Sequence, residues 1–565
     1  MTNWDQLDKI AVHRVGGAKD VARGHNAVAS TDNAIATETA LRIFRKGGNA
    51  ADAAVATALV QSTNQQYVTN HTGLVTALYY DAKSRTTYQL ESVGTFPSHL
   101  PVHRPNPIPA FPGSPPGASC IPHQMHGLGA LHARFGSLSW AEVCEDAVYW
   151  ADRGHSVTEI ESKVFDLFSS SVAFFPETRA HTMPDGRVPY AGEHWRSADL
   201  AYTMKRLQAE GPAYFYEGEW AEKFVAKANE LGWGINLKDM NEVQAAWIEP
   251  KRWHHKGIDV VQLAPPQVQA ALCALTLGIL NHLGTSEKGH YTQSAEALFD
   301  FAYATRRAHQ DIVMINDPAC FDGAYDVFFD EGYHHHCARL IDGNRPKVDL
   351  TNHVNLTSGP IMRRAGYAPT ADGPKKSISG SCETSFVDAD GNWCQMMNTF
   401  QSGGMPGVVV GGVLMQGSHA PIGSIDPATG SFGGYLAPGA RLRMPLANTL
   451  LFKDGEPWMG VGTTGNCPTT PPQMLYSLID CGMDPTSAMA LPRMNMFSGG
   501  DLSVVTEGGI PDAVVDGMAT YGIRMMQTLP LQIATGSYSI TERDPDTGKL
   551  NAYADPRLGG LAAGV

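Results

Sequence analysis

The residues best suited to chemistry in this chain surround Ser381, in the sequence Gly380-Ser381-Cys382-Glu383. A flexible Gly–Ser bond leads directly into a predicted β-strand, and this pattern indicates a self-cleavage site. Cleavage of the Gly380–Ser381 bond would leave Ser381 with its hydroxyl and a new free α-amine. Because one residue would then hold both a nucleophile and its base, the sequence predicts the proenzyme of an N-terminal-nucleophile amidase.

The predicted chemistry depends on the pKa of an α-amine. A serine hydroxyl is a weak nucleophile until a base removes its proton. An N-terminal amine has an ordinary pKa of about 7.7–8.0, so at neutral pH a useful fraction is neutral and can accept that proton. Before cleavage, the same hydroxyl can attack the Gly380 carbonyl, and the resulting ester can hydrolyse.

Acyl transfer also needs hydrogen-bond donors for the oxyanion that develops in the transition state. The segment 462–466, Gly-Thr-Thr-Gly-Asn, follows a predicted strand at 458–461 and precedes a predicted helix. Backbone N–H groups in such a turn can point towards the developing negative charge. An ordinary tight turn is the alternative interpretation of this segment.

Hydrophobic periodicity and capping residues predict the elements that must position these segments. The predicted helices span 34–46, 50–60, 125–135, 139–153, 196–209, 267–281, 293–311 and 471–481. The predicted strands span 78–80, 87–90, 407–415, 447–453 and 456–461, and the Asp-Gly pair at 390–391 predicts a hairpin soon after Ser381. We expect residues 1–25 to form a weakly ordered arm and residues 338–376 to form a linker.

The composition is that of a globular protein. Of 565 residues, 43% are hydrophobic and 17% are charged, and the formal net charge of −14 argues against nucleic-acid binding. The first residues show no secretory signal, and the apolar runs are too short to cross a bilayer, so we expect no membrane association. The nine cysteines, an odd number, then predict reduced thiols in a cytoplasmic protein.

Two histidine-rich segments raise the question of a metal site, His334-His335-His336-Cys337 and His254-His255. Adjacent residues point in different directions, whereas zinc ligands favour spacings of about two to five residues. We therefore predict no metal site, and a polar surface tract at 334–337.

Further segments along the chain have distinctive sequences. They are Ala27-Val28-Ala29-Ser30, Lys46-Gly47-Gly48-Asn49-Ala50-Ala51-Asp52, Phe135-Gly136-Ser137-Leu138-Ser139-Trp140, Phe215-Tyr216-Glu217-Gly218-Glu219, Leu436-Ala437-Pro438-Gly439 and Gly482-Met483-Asp484-Pro485. Jointly they make the chain resemble the γ-glutamyltransferase family, from about residue 27 to residue 560.

This resemblance implies the architecture. The fold would be α+β, a four-layer αββα sandwich with two antiparallel sheets covered by helices. Residues 1–380 would be the large chain of a proenzyme and residues 381–565 the small chain, together one structural unit. The active form would be a heterodimer of these self-cleaved chains, with a dimer of heterodimers as a further option, and neither a metal nor an organic cofactor is expected.

The resemblance also assigns site residues. The family's processing motif, Thr-Thr-His-x-Ser-Val-Val-Asp, places Ser381 at the nucleophile, and Cys382 is a rival nucleophile one residue out of register. Thr399 stands where the family has a threonine that hydrogen-bonds the nucleophile's amine. Gly465 and Asn466 stand at the family's oxyanion pair.

The substrate-binding motifs of the family are altered. The segment 90–97 lacks the arginine that binds the γ-glutamyl carboxylate, and Met444-Pro445 replaces a Ser-Ser pair. The segment 415–420 replaces the family's acidic motif, which supplies an aspartate for the substrate amine. Because all three contacts to an amino-acid head group are changed together, the sequence argues against γ-glutamyl specificity.

Other residues are candidates for contacts with the substrate. Glu383 replaces the family's histidine and either lines the pocket or faces solvent at the edge of its strand. Gln401, close to Thr399, is a candidate hydrogen-bonding residue. Arg441 and Arg443 could bind an anion, and a structural role for Arg441 is an equal alternative.

Three hypotheses follow. The leading one is a self-processing N-terminal-serine amidohydrolase that cleaves a small-molecule amide through an acyl-enzyme. The second is a γ-glutamyltransferase or glutathione hydrolase with an altered carboxylate clamp. The third is a non-catalytic relative that stays uncleaved and serves as a binding protein.

Overall fold

A computed structural model describes residues 2–565 except 14–15, 99–119, 168, 170–172, 232–233, 346–380, 401–407, 416–436, 466, 496–502 and 533–534. Three predicted site residues, Gly380, Gln401 and Asn466, lie outside the described residues. Within those residues, none of the helices combines the length and the apolar character that crossing a membrane requires.

Each predicted helical segment contains α-helix, and the described residues form further helices that the sequence analysis did not predict. Their bounds are α1 Trp4–Val12, α2 Ala34–Arg45, α3 Ala50–Asn64, α4 Gln124–Phe135, α5 Trp140–Val143, α6 Glu145–Arg153, α7 Glu159–Leu167, α8 Pro176–Thr182, α9 Ala198–Glu210, α10 Glu219–Glu230, α11 Leu237–Glu242, α12 Gln269–His282, α13 Ala295–Asp311, α14 Glu331–Gly343, α15 Thr470–Leu475, α16 Pro485–Ala490 and α17 Asp512–Thr520.

The strands occur on both sides of Ser381. Before it lie β1 Ala22–Gly24, β2 Val28–Thr31, β3 Leu74–Asp81, β4 Thr86–Ser92, β5 His155–Ser156, β6 His194–Trp195, β7 Ala246–Ile248, β8 Lys251–His255 and β9 Ile258–Gln262. After it lie β10 Cys382–Val387, β11 Trp393–Thr399, β12 Val409–Val410, β13 Val413–Leu414, β14 Thr449–Lys453, β15 Glu456–Thr463, β16 Met494–Asn495, β17 Ser503–Thr506, β18 Arg524–Gln527, β19 Tyr538–Arg543, β20 Leu550–Ala554 and β21 Leu561–Gly564.

Two seven-stranded antiparallel sheets form the centre of the fold. Sheet A has the strand order β1-β20-β19-β15-β14-β9-β8, and sheet B has the order β21-β2-β10-β11-β3-β4-β7. Helices α3 and α4 pack on sheet B, α12 and α15 pack on sheet A, and β10 and β11 pack across the interface on β15. The layers therefore run helix, sheet, sheet, helix, which confirms the predicted αββα sandwich.

Both sheets mix strands from the two sides of Ser381. In sheet B, β10 and β11 lie between β2 and β3, and in sheet A, β14 lies between β9 and β15. Each central pair is joined by a full ladder of antiparallel partners. The segments before and after Ser381 are therefore interleaved in both sheets.

The N-terminal segment is better ordered than the sequence predicts. Residues 4–12 form α1, and the Asn3 side chain accepts a hydrogen bond from the Gln6 N–H at 3.2 Å. Asp8, on the buried face of α1, accepts hydrogen bonds from the N–H and the hydroxyl of Ser156 at 2.9 and 2.7 Å. The predicted weakly ordered arm is wrong for this segment, because its stabilising partner lies far along the chain.

Other boundaries differ in detail. The predicted linker at 338–376 begins as helix, because α14 continues to Gly343, and residues 346–380 lie outside the described residues. The helix predicted at 139–153 is divided at Cys144 into α5 and α6. The helix predicted at 471–481 is α-helical only to Leu475 and continues as a wider π-helical turn.

The His334–Cys337 tract lies on α14, which packs against α12. His334 is buried, its Nε2 lies 2.7 Å from the Phe328 carbonyl oxygen, and its ring packs on Gly278. Cys337 is buried as well. The predicted surface tract is therefore wrong for these two residues, which face the helix layer. Among the described residues, no group of His, Cys, Asp or Glu is arranged to hold a metal ion.

Gly73 holds the start of β3 against the end of β11. The register pairs Leu74 with Thr399, and Gly73 directly precedes that pair. A Cβ atom placed on Gly73 would lie 1.9 Å from the Thr399 carbonyl oxygen and 3.1 Å from Oε1 of Gln124. Since the first of these atoms belongs to the backbone, only a residue without a side chain fits here.

We therefore expect Gly73→Ala to lower the free energy of unfolding by about 1–3 kcal/mol, because the added methyl must displace backbone. Thermal unfolding measures this effect. Gly343→Ala is the matched control, since a Cβ at that exposed helix end meets no atom within 4 Å. An unchanged midpoint for Gly73→Ala would contradict the close approach.

Several histidines are buried in their neutral form. His71 is fully buried, its ring stacks on Phe215 at 6.0 Å, and neither ring nitrogen has a partner among the described residues. Burial lowers the pKa of His71 to about 3 and lowers the pKa of His126 and of His290 to about 4. Since the unfolded chain takes up these protons near pH 6.5, acid favours unfolding.

The protein should therefore lose stability as the pH falls below about 6.5, by about 2 kcal/mol at pH 5 for each such histidine. Urea unfolding at pH 7.5 and pH 5.0 measures the loss. It should be smaller by about 2 kcal/mol in His71→Phe, and unchanged from wild type in His335→Phe, which alters an exposed histidine. Equal acid sensitivity of wild type and His71→Phe would refute this account.

Candidate active site

Ser381 lies at the entrance to β10, where the chain passes into the centre of sheet B. It is 8% exposed, and its backbone N–H donates to the Val68 carbonyl oxygen at 3.3 Å. Its φ angle is +88°, in the left-handed region that residues with a side chain seldom adopt. The predicted nucleophile is thus a buried residue with an unusual backbone conformation.

Thr399 lies beside Ser381 on the neighbouring strand. The register of β10 and β11 pairs Cys382 with Asn398, so one further step brings Ser381 opposite Thr399. The Thr399 hydroxyl donates to the Val68 carbonyl oxygen at 3.5 Å, the same oxygen that accepts the Ser381 N–H. The structure therefore brings these two predicted residues together.

Hydrogen bonds between the sheets fix how β10 faces sheet A. The hydroxyls of Ser385 and Thr541 lie 2.6 Å apart, and two residues earlier the Ser539 hydroxyl donates to the Glu383 carbonyl oxygen at 2.8 Å. Side chains at alternate positions of β10 thus face alternate positions of β19.

The same progression leads from Ser381 to Ser537, just before β19. Ser537 is tied to the turn after β15, because its carbonyl oxygen accepts from the Thr464 N–H at 3.0 Å and its N–H donates to the Thr464 hydroxyl at 3.2 Å. Extending the β10–β19 spacing by two residues would place Ser381 across from the predicted oxyanion turn. No motif pointed to Ser537, because its place follows only from the pairing of distant strands.

The turn after β15, the predicted oxyanion site, contains a glycine in the left-handed region. Gly465 has φ +76°, and its carbonyl oxygen accepts from the Cys467 N–H at 2.8 Å. A glycine in the left-handed region redirects the chain sharply, so that successive N–H groups can point to one side. Asn466, the second predicted donor, lies outside the described residues.

Cys382, the rival nucleophile, faces the opposite side of sheet B. Its sulfur lies 3.9 Å from Oε1 of Gln65, on α3's C-terminal side, and its thiol also interacts with Asp32. Burial, with a further contribution from Asp32, raises the pKa of this thiol well above its usual range. A buried neutral thiol that faces the helix layer is a poor nucleophile.

Glu383 is fully buried between the sheets, so the alternative that it faces solvent is wrong. Its Oε1 accepts from Nε2 of Gln395 at 2.5 Å and from Nδ2 of Asn448 at 3.3 Å. Burial raises the pKa of this carboxyl well above its ordinary value, although the Gln395 hydrogen bond opposes the shift.

The two predicted arginines are held by protein groups. Nη2 of Arg441 lies 2.6 Å from Oδ1 of Asp317, and the Arg441 backbone N–H donates to Oδ2 of the same carboxylate at 2.7 Å. Arg443 is buried and donates to the carbonyl oxygens of Ile312 and Ile315 at 3.1 and 2.9 Å. These contacts give both side chains a structural role, and their part in substrate binding stays a prediction.

The described residues of the segments that replace the family's substrate motifs include buried apolar side chains and one buried carboxyl. Leu90, in the segment that lacks the family's arginine, is fully buried in the core between sheet B and its helices. Burial raises the pKa of the adjacent Glu91 to about 7, and this carboxyl accepts hydrogen bonds from the amides of Gln89 and Gln267. Met444 is also buried.

Comparison with known proteins places this geometry in a family. The family model described as gamma-glutamyltranspeptidase matches residues 36–565. The "Glutathione hydrolase proenzyme" of Bacillus subtilis is 22% identical, over 97% of this chain and 93% of its own. The "Acylase ACY 1 proenzyme" of Pseudomonas sp. (strain SE83) is 24% identical, over 97% of this chain and 95% of its own.

A solved structure shares the fold. The cephalosporin acylase from Bacillus halodurans superposes with a TM-score of 0.80 at 21% identity, covering 97% of both chains. Since the family model spans nearly the whole chain and the fold agrees from end to end, this protein belongs to the γ-glutamyltranspeptidase family of N-terminal-nucleophile enzymes and is a hydrolase of amide C–N bonds.

Proposed function

We propose that this protein is a self-processing N-terminal-serine amidohydrolase that cleaves a small-molecule amide through an acyl-enzyme and has no specificity for γ-glutamyl groups. The observation that carries the proposal is the place of Ser381. It is buried and lies opposite Thr399, and the contacts between β10 and β19 lead from it towards the turn that contains Gly465. Nucleophile, amine partner and oxyanion donors are thereby assigned to one end of the sandwich.

The backbone at Ser381 supports self-processing. A non-glycine residue at φ +88° carries backbone strain of about 1–3 kcal/mol. The φ angle exists only while Ser381 is joined to the preceding carbonyl carbon. Cleavage of that peptide bond removes the constraint, so the strain favours the cut chain.

In the mature enzyme, Oγ of Ser381 attacks the amide carbonyl and its own α-amine takes the hydroxyl proton. The backbone N–H of Gly465, with that of Asn466, stabilises the oxyanion. The amine returns the proton to the leaving nitrogen, and the C–N bond breaks. Water, activated by the same amine, then hydrolyses the ester and releases the acid, while Thr399 orients the amine.

The two chains would remain together after cleavage as a heterodimer. The strand β10 would keep its ladders to β2 and β11, and β14 would keep its ladder to β9. Separation would break both sheets and expose both cores, at a cost far above that of one backbone cut.

Mature protein should give two bands on a denaturing gel, of roughly 41 and 20 kDa. These masses follow when the total of 60.8 kDa is shared between the two chains in proportion to their lengths. Ser381→Ala should stay a single chain without activity, because it lacks the hydroxyl for both steps. Cys382→Ala is the matched control and should be processed and active. A cleaved Ser381→Ala, or an active wild type without a fragment that begins at Ser381, would refute the proposal.

The altered substrate motifs support the proposed absence of γ-glutamyl specificity. A carboxylate head group needs a charged donor, preferably a bidentate arginine. In the segment that lacks the family's arginine, Leu90 is buried among apolar residues, and Arg441 is already paired with Asp317. An uncharged acyl group suits these surroundings better than an amino-acid head group.

One observation favours the second candidate, a glutathione hydrolase with an altered clamp. Relatives with that name cover nearly the whole chain, among them the Bacillus subtilis and Escherichia coli enzymes. Chromogenic anilides separate the two functions, since the acyl group alone is varied.

We expect kcat/KM for uncharged acyl anilides to exceed that for the γ-glutamyl anilide at least about tenfold, because a missing charge-assisted hydrogen bond costs about 1.5–3 kcal/mol. Ser381→Ala supplies the background rate for each anilide. Robust turnover of the γ-glutamyl anilide, with transfer to dipeptide acceptors, would establish the second candidate instead.

A further inference from the structure

Three polar side chains form a fully buried cluster between the sheets, close to Ser381. This acid–amide cluster consists of Glu383, Gln395 and Asn448. Both amides donate to a single oxygen of the carboxyl, Oε1, at 2.5 Å from Gln395 and 3.3 Å from Asn448. The other carboxyl oxygen of Glu383, Oε2, accepts a hydrogen bond from neither amide.

The orientation of the Asn448 amide is fixed by other partners. Its Nδ2 also donates to the Gln395 carbonyl oxygen at 3.1 Å, and its Oδ1 accepts from the Thr76 hydroxyl at 2.8 Å. Asn448 therefore supplies no donor to the remaining acceptors of the Glu383–Gln395 pair.

Two buried acceptors in that pair lack a donor among the described residues, Oε2 of Glu383 and Oε1 of Gln395. An unsatisfied buried acceptor is costly, and an ionised carboxylate can only accept. One proton on Glu383 turns the carboxyl into a donor as well as an acceptor. The acid and the amide can then form the reciprocal pair that satisfies both atoms.

The electrostatic surroundings favour the same state. None of the ion pairs among the described residues involves Glu383. The titratable groups that interact with it are the thiols of Cys382, Cys394 and Cys467, whose pKa values are raised above all by burial. A buried carboxylate without a cation is strongly disfavoured.

We propose that Glu383 is a permanently protonated carboxylic acid that pairs with the Gln395 amide and positions the nucleophile's strand against β15. The contact with β15 is direct. A Cβ placed on Gly462 would lie 2.0 Å from Oε1 of Glu383 and 2.4 Å from Nε2 of Gln395. Gly462 stands three residues before Gly465. The cluster therefore sets the distance between Ser381 and the predicted oxyanion turn.

The neutral state of Glu383 also affects the pKa of the Ser381 α-amine. This argument rests on the proposed function. Two residues along a strand span about 7 Å. An anion at that distance from the Ser381 α-amine would raise the pKa of the amine and keep it protonated at neutral pH. An uncharged acid fills the same space and leaves the amine able to act as a base.

The test compares Glu383→Gln with wild type by infrared spectroscopy and by the pH profile of kcat/KM. The wild-type difference spectrum should show the carbonyl stretch of a protonated carboxylic acid at pH 9, which Glu383→Gln lacks. The acid limb of the pH profile should agree within about 0.3 pH unit between the two proteins. Glu91→Gln is the control, since the pKa of Glu91 lies at about 7 and its band should vanish by pH 9.

A carboxylate band in place of the acid band, or a downward shift of the acid limb by about one unit in Glu383→Gln, would overturn the proposal. The infrared measurement is repeated on uncleaved Ser381→Ala, so that its outcome does not depend on processing or activity. If Glu383→Gln does not fold, the Glu91→Gln protein must still retain an acid band at pH 9, and the absence of that band would equally overturn the proposal.

Discussion

The close contact between the two sheets at Glu383 and Gly462 is the constraint on which the site depends. A glycine at 462 lets the backbone of β15 approach the buried carboxyl so closely that no side chain fits between them. Hydrogen bonds further along, from Ser539 to Glu383 and between Ser385 and Thr541, hold the same spacing. Ser381, just before β10, and the turn that follows β15 are thereby held at the same end of the sandwich.

That contact is possible because the segments before and after Ser381 each contribute strands to both sheets. Strand β10 pairs with β2 along one edge and with β11 along the other, and β11 pairs in turn with β3. A cut before Ser381 leaves these ladders intact. The fold therefore lets a new chain end form at the centre of a sheet without loss of the packing around it.

Local signals predicted much of this fold, and non-local ones were missed. The capping box of Asn49 and Asp52 at the start of α3, and the turn in which Asp388 accepts the N–H groups of Asp390 and Asn392, need only neighbouring residues. The order of α1 and the burial of His334 depend on partners distant in sequence. Ser537, which is hydrogen-bonded to the predicted oxyanion turn, was missed for the same reason, because the pairing of β15 with β19 places it there.

The exchange of threonine for serine at the nucleophile fits the backbone that the structure has at this position. A β-branched residue in the left-handed region is a genuine outlier, since its second γ atom crowds the backbone. Serine has a single γ atom and tolerates φ +88° at lower cost. The uncut chain thus stores less strain than a threonine proenzyme would at the same φ. The buried acid–amide cluster begins two residues after Ser381 and holds β10 close to β15 by contacts that do not depend on this strain.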